Sequence, residues 1–235
     1  MFEEYLKKIG LNNLISHTES IELNNFVAEI FSTKFPDLSE KEIEKLYAYD
    51  VPKMSADGSC SILEEKAEDP YNLAKIFELE LDFKKLKNHT QTIRLWRLNK
   101  ITEKIYKSSE VEWFGIYRKT KNPAGDLVLV KEAYRGVFSR AEFPLTKEFA
   151  KKSNNSTVGI SGKAIIIQDV NAHKGAYYEC DNKVNSEFCL PILDRKNKII
   201  GIIDAEAFAK NHYTSARLLQ IAKIAFDLGG KNLGI

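Results

Sequence analysis

The chain has 235 residues, 43% of them apolar and 29% charged. That is ordinary globular composition, and it excludes a disordered, collagen-like or fibrous chain. No stretch reaches the ~18 uncharged apolar residues of a membrane span, so no membrane partner is expected. The start, Met-Phe-Glu-Glu-Tyr-Leu-Lys-Lys, lacks an apolar run and does not read as a secretory signal. The three cysteines are odd in number and scattered, which suits a reducing compartment and a cytoplasmic location.

The formal net charge of +2 hides an asymmetry. The first 82 residues hold 8 lysines against 18 aspartates and glutamates, which leaves the remainder strongly basic. Two readings are open: the two parts dock and cancel, or the basic part meets nucleic acid. No nucleic-acid motif is present and the aromatics are not interleaved with the basic residues, so no nucleic-acid partner is expected.

In chain order, Leu23, Phe26, Val27, Ile30 and Phe31 fill an amphipathic helical template that Pro36 should stop. Ser39 and Glu42 form a capping box ahead of a helix buried through Ile43, Leu46 and Tyr47. Residues 52–61 read as a loop. Asp69-Pro70 reads as the start of a long helix to about Lys107, with a break near Asn88. Residues 83–107 hold eight basic side chains and one acidic one, Glu103, which predicts a solvated helix face.

From Glu112 the hydrophobic period changes to that of strands. Strands are expected near 113–119, 126–135, 141–145, 164–170, 187–194 and 199–206, with a polar, loosely helical stretch at 147–156 and a long loop through 171–185. A final helix should run from its N-cap Thr214 to Asp227, ended by Gly229 and Gly230. Sequential strands on short turns with flanking helices predict an α+β fold with one antiparallel sheet. The expected division is a helical N-terminal extension, residues 1–90, followed by a domain at 91–235.

No phosphate-binding glycine loop, H-E-x-x-H, C-x-x-C or nucleophile elbow is present. The informative stretch is 169–206. Asp204 and Glu206 lie two apart on a strand and share a face, and Glu187 lies on the preceding strand. Carboxylates this close would raise one pKa and supply a proton donor near neutral pH, or else they are strand-end residues in water. Cys180 sits among polar neighbours, with Lys183 near enough to favour its thiolate; the bland alternative is a small buried hydrophobe. Cys189 reads as core and Cys60 as an exposed loop residue. His173, Cys180 and Cys189 are metal-ligand types, but their spacing matches no zinc pattern, so no metal is expected.

Residues 112–228 resemble a GAF domain and are most similar to the free methionine-(R)-sulfoxide reductases. The residues that carry this are Glu112-Trp113-Phe114-Gly115-Ile116-Tyr117, Phe143-Pro144-Leu145, Gly159-Ile160-Ser161-Gly162, Asp169-Val170, Cys180-Asp181 to Ser186-Glu187, Leu190-Pro191-Ile192 and Ile200-Gly201-Ile202-Ile203-Asp204. The resemblance implies a GAF-like sheet flanked by helices. It implies Cys180 as the nucleophile and Glu187, Asp204 and Glu206 as the groups that hold the substrate amino group and help protonate the sulfoxide. It makes Trp113 and Tyr117 the pocket walls.

It further implies no bound cofactor, with an external thiol reductant such as thioredoxin restoring the enzyme. Arg140 and Ser161 stand where such reductases carry two further cysteines, one extra residue lies between Gly175 and Cys180, and Glu206 replaces an aspartate. With those thiols missing, Cys189 is the candidate resolving thiol. Its strand position puts it on the face of Glu187, and Cys60 or a small external thiol is the alternative. A different reading is a sensory or small-ligand-binding GAF module, whose helical extension serves homodimerisation or partner contact.

Overall fold

In the computed structural model, residues 1–53, 65–175 and 182–234 are described. The elements in chain order are α1 (Phe2–Ile9), α2 (Phe26–Ser32), α3 (Glu40–Tyr47), β1 (Ala48–Tyr49), β2 (Tyr71–Asn72), α4 (Leu73–Ile76), α5 (Phe83–Leu86) and α6 (Thr90–Ser108). They continue as β3 (Trp113–Lys121), β4 (Leu127–Arg135), β5 (Glu142–Pro144), α7 (Lys147–Ala150), α8 (Asn154–Ser161), β6 (Ile165–Ile167), β7 (Ser186–Leu193), β8 (Ile199–Ala207) and α9 (Ser215–Gly230). Six strands form one sheet in the order β5-β4-β3-β8-β7-β6, and every pairing is antiparallel. The fold is thus the expected α+β arrangement.

One face of the sheet carries Phe114, Ile116, Phe188, Leu190, Ile192, Ile203 and Ala205, all buried in one apolar cluster. Helix α9 covers it with Leu218, Leu219, Ala222 and Ala225, and α6 with Leu98, Ile101 and Ile105. Tyr5, Leu6, Ile9, Leu14 and Val27 from the N-terminal segment enter the same cluster. Tyr5 also donates its hydroxyl to Pro191 O at 2.6 Å. Each such aliphatic side chain contributes about 1.5–3 kcal/mol on burial, so the acidic N-terminal segment is held to the basic sheet domain mainly by apolar area. Surface pairs such as Lys104–Glu29 and Lys87–Asp37 add little.

Several local expectations are corrected. The continuous helix from Pro70 to Lys107 is instead β2, two short helices and α6. Asn72 accepts from Ala74 N, Asp82 from Lys84 N and His89 from Gln91 N, so three separate caps outcompete a continuing helix. The earlier helix starts only at Phe26 and ends at Ser32, ahead of Pro36, because the Ser32 and Thr33 hydroxyls both donate to Glu29 O as Thr33 turns extended. The strand expected at 164–170 is confined to β6, and a 3-10 turn follows at Val170–Ala172. The last helix runs past Asp227 and ends at Gly230, with Gly229 inside its last turn. Gly229 is needed for packing: an added Cβ would lie 1.9 Å from Leu193 O.

The basic stretch 83–107 is not wholly solvated either. Arg94 is buried and paired with Glu132. The β3–β4 register jumps from Ile116↔Ala133 to Tyr117↔Lys131, so Glu132 is an extra residue in β4 and a bulge aims it at α6. The capping box at Ser39 and Glu42 and the N-cap at Thr214 form where the sequence places them.

Candidate functional site

The opposite face of the sheet carries the site. Residues two apart on a strand share a face, so Trp113, Gly115 and Tyr117 of β3 point the same way, as do Glu187 and Cys189 of β7 and Ile202, Asp204 and Glu206 of β8. Register then brings the three sets together. Trp113 pairs with Glu206 and Gly115 with Asp204. Glu187 pairs with Glu206 and Cys189 with Asp204. Trp113, Tyr117, Glu187, Asp204 and Glu206 line a single cavity. It holds about 20 Å³ of fully accessible space within an envelope of about 350 Å³ that includes its mouth. Cys180 and Cys60 lie outside the described residues, as does any set built on Cys180. Among the described residues no His/Cys/Asp/Glu group is arranged to hold a metal ion.

The aromatic wall runs through Tyr134, Trp113, Tyr117 and Phe143, with successive ring centroids 6.3, 6.1 and 5.5 Å apart. Trp113 donates its indole N–H to Val137 O at 3.1 Å. Its ring lies flat over the strand because residue 115 has no side chain. A Cβ at Gly115 would stand 2.2 Å from Trp113 Cη2. Gly115→Ala is therefore expected to push the indole aside and cost about 1–3 kcal/mol, as overpacking does. Urea unfolding with tryptophan emission measures both effects; a change below about 0.5 kcal/mol would show that the ring yields freely.

The carboxylates meet the start of α8. Ser153 caps that helix, and Asn154 and Asn155 are its first two residues, all buried. Asn154 Nδ2 donates to Glu187 Oε1 at 3.0 Å and Asn155 Nδ2 to Asp204 Oδ2 at 2.9 Å. The positive end of the helix thus faces the two acids. Even so, burial dominates. It pushes the Asp204 carboxyl up to about 7 against the hydrogen bonds from Asn155 and the Ala205 amide. Glu187 is raised well above the usual carboxylate range, first by burial and then by the charges of Asp204 and Glu206. Asp204 is therefore no strand-end residue in water, whereas Glu206 is only half-buried.

Cys189 is fully buried between these acids, and burial, Asp204 and Glu187 all push its thiol up, so it is a neutral thiol at physiological pH. Asp204 Oδ1 and Asn154 Oδ1 are buried with no hydrogen-bond partner among the described residues. Asn154 Oδ1 can only accept, and Asp204 Oδ1 accepts when its carboxyl is ionised and donates when it is protonated, so the cavity offers one fixed acceptor and one that changes with protonation.

Sequence reasoning missed Asn154, Asn155, Ser153 and Ser139, which also line the cavity. The run Ser153-Asn154-Asn155-Ser156 carries a readable N-cap signal, but nothing local shows that the helix start it marks is buried against two carboxylates.

No protein-family model matches the chain, and no curated protein matches it in sequence. Solved structures do. The type II free methionine-R-sulfoxide reductase of Thermoplasma acidophilum is similar at 16% identity with a TM-score of 0.53, covering 61% of this chain and 95% of that one. The free methionine-R-sulfoxide reductase of Neisseria meningitidis, solved with its substrate, is similar at 18% identity with a TM-score of 0.51, covering 64% and 83%. A structure of the GAF domain is matched at 22% identity and a TM-score of 0.47, covering 57% and 73%. At these identities the likeness is one of fold, and the six-stranded antiparallel sheet with its flanking helices is a GAF-like α+β domain similar to that of the free methionine-R-sulfoxide reductases.

Proposed function

We propose that the cavity binds a small ammonium-bearing ligand, and that this ligand is free methionine-(R)-sulfoxide, reduced to methionine with Cys180 as nucleophile. The observation that carries the reading is the convergence of three acidic side chains and an aromatic wall on one cavity, with a buried acceptor at Asn154 Oδ1 awaiting a donor. Glu187, Asp204 and Glu206 would receive the ammonium group, and Trp113 and Tyr117 would wall the methyl-sulfur end. The cavity must widen to take an amino acid.

A carboxyl that titrates near pH 7, as Asp204 does, can deliver a proton to the sulfoxide oxygen from its protonated form and pair with the ammonium group in its ionised form. The Cys180 thiolate attacks the sulfur, and the S–O bond breaks as the oxygen takes up two protons and leaves as water. Water then attacks Cys180 Sγ and breaks the S–S bond, so methionine leaves, one proton is released and a sulfenic acid remains on Cys180. A second thiol condenses with the sulfenic acid and releases water. The resulting disulfide is reduced by an external dithiol of the thioredoxin kind.

For the second thiol, Cys189 remains the candidate on its strand position, but its buried, neutral thiol favours a small external thiol. The second reading is a ligand-binding GAF module without turnover, its extension serving homodimerisation. Arg140 and Ser161 in place of the usual partner thiols favour it.

The deciding experiment is turnover of free methionine sulfoxide with dithiothreitol, which bypasses the protein's own second thiol. The R isomer should be consumed and the S isomer spared. Cys180→Ser should leave less than about a thousandth of the activity, as loss of a nucleophile does. Binding without turnover would select the second reading. Cys189→Ser cycling normally with thioredoxin would exclude that residue as the resolving thiol.

A further inference from the structure

The N-terminal segment reaches the cavity from behind. Tyr49 pairs with Tyr71, Ala67 N donates to Val51 O, and Lys53 N donates to Glu65 O, so these residues form a narrow antiparallel ribbon. The ribbon lies on β4 and β5. The Tyr49 hydroxyl donates to Lys131 O at 2.6 Å, and the Tyr71 hydroxyl donates to Glu142 Oε1 at 2.6 Å. The Tyr49 and Tyr134 rings are 5.5 Å apart, and Tyr134 continues into the aromatic wall through Trp113.

Lys131 stands at this junction with no exposed surface. Its ammonium donates to Ser139 O at 2.7 Å and to Ser139 Oγ at 2.8 Å. It also lies 4.0 Å from the Tyr134 ring centroid, 5.1 Å from that of Tyr49 and 5.9 Å from that of Trp113. Burying an ammonium costs less where its donors find acceptors and its charge finds ring faces, and this one has both. Ser139 lines the cavity, and the neighbouring Val137 carbonyl holds the Trp113 indole.

We infer that Lys131 is a positioning residue for the cavity and that the ribbon bearing Tyr49 backs the cavity's aromatic wall from outside the lining. Lys131 fixes the 136–140 segment through Ser139 and holds the Trp113–Tyr134 edge through its charge. Tyr49 closes the box around the ammonium. The N-terminal extension is then the layer that supports the binding site from behind. The ligand half of this inference rests on the reading of the site given above; the positioning half does not.

The test uses the full chain carrying Trp96→Phe, which leaves Trp113 as its only tryptophan. Lys131→Met should shift Trp113 emission to the red and expose the indole to acrylamide. It should weaken binding of methionine sulfoxide about tenfold, the scale of one lost cation–π or charged hydrogen-bond interaction. Tyr49→Leu should move the same signals in the same direction, and it substitutes for Lys131→Met if that variant fails to fold. A lowered melting temperature with unchanged Trp113 emission and quenching would overturn the inference, since it would make Lys131 a stability residue only. If methionine sulfoxide does not bind the parent chain but Lys131→Met still unseats Trp113, the ligand reading fails and the positioning role stands.

Discussion

Glu132→Ala should lower folding stability by about 3–5 kcal/mol, the cost of stranding a buried charge. The Glu132 side chain is fully buried and that of Arg94 nearly so, and the two meet through both terminal guanidinium nitrogens, with Arg94 Nη1 donating to Glu132 Oε2 at 2.9 Å. Arg118 Nη1 lies 3.9 Å from the same carboxylate. Burial lowers the Arg118 pKa, with Arg94 adding in the same direction, while Glu132 holds it up. Without Glu132, two cations face each other beneath α6 with no anion between them. Arg94→Met should cost less, because Arg118 still partners the carboxylate.

Replacing Arg94 and Glu132 together by methionine should restore much of the loss, since an apolar pair of similar volume has no desolvation cost. Urea unfolding at pH 7 with unchanged slope measures all three. A loss below about 1 kcal/mol for Glu132→Ala would mean that the buried pair contributes as little as a surface pair.

Asp204→Asn should separate stability from binding. The Asp204 carboxyl is held at about 7 in the folded chain, against 3.8 for an ordinary aspartate in water. Between those values the folded state keeps a proton that the unfolded state gives up. The contribution of this group to stability is therefore fully present below about pH 4, falls as pH rises, and is lost above about pH 7. Glu187 is displaced in the same direction, so the titration belongs to the pair.

An amide at 204 never ionises and can accept from Asn155 through its own carbonyl. Asp204→Asn should accordingly raise the melting temperature at pH 8 and leave it nearly unchanged at pH 4. It should also remove an anion from the proposed ammonium site and weaken binding of methionine sulfoxide about 10–100-fold, the range for a hydrogen bond to a charged group. Equal melting shifts at the two pH values would show that Asp204 ionises in the folded chain as it does in water.

Local signals were legible wherever a neighbour in sequence supplies the partner. Ser39 with Glu42 and Thr214 with Arg217 N close their hydrogen bonds within three residues, so the helix starts they mark could be read directly. The strand pattern was legible for the same reason, since alternation is a property of adjacent residues. The region 70–107 was not. There the apolar spacing allows one helix, while Asn72, Asp82 and His89 each bind a backbone amide two residues on and divide it.

Readable from sequence alone were the α+β class, the positions of the long strands β3, β4, β7 and β8, and the fact that Glu187 shares a face with Cys189 and Asp204 shares one with Glu206. Only the tertiary structure decided that the two faces coincide, because that depends on the register of β7 against β8 and of β8 against β3, which no local pattern encodes. It also decided which charges are buried. Arg94 is neutralised by a residue 38 positions away that a β-bulge turns inward, and Lys131 is enclosed by rings from three separate stretches of chain. Burial is set by what packs from outside the element, so charge patterning alone reads Arg94 as solvated.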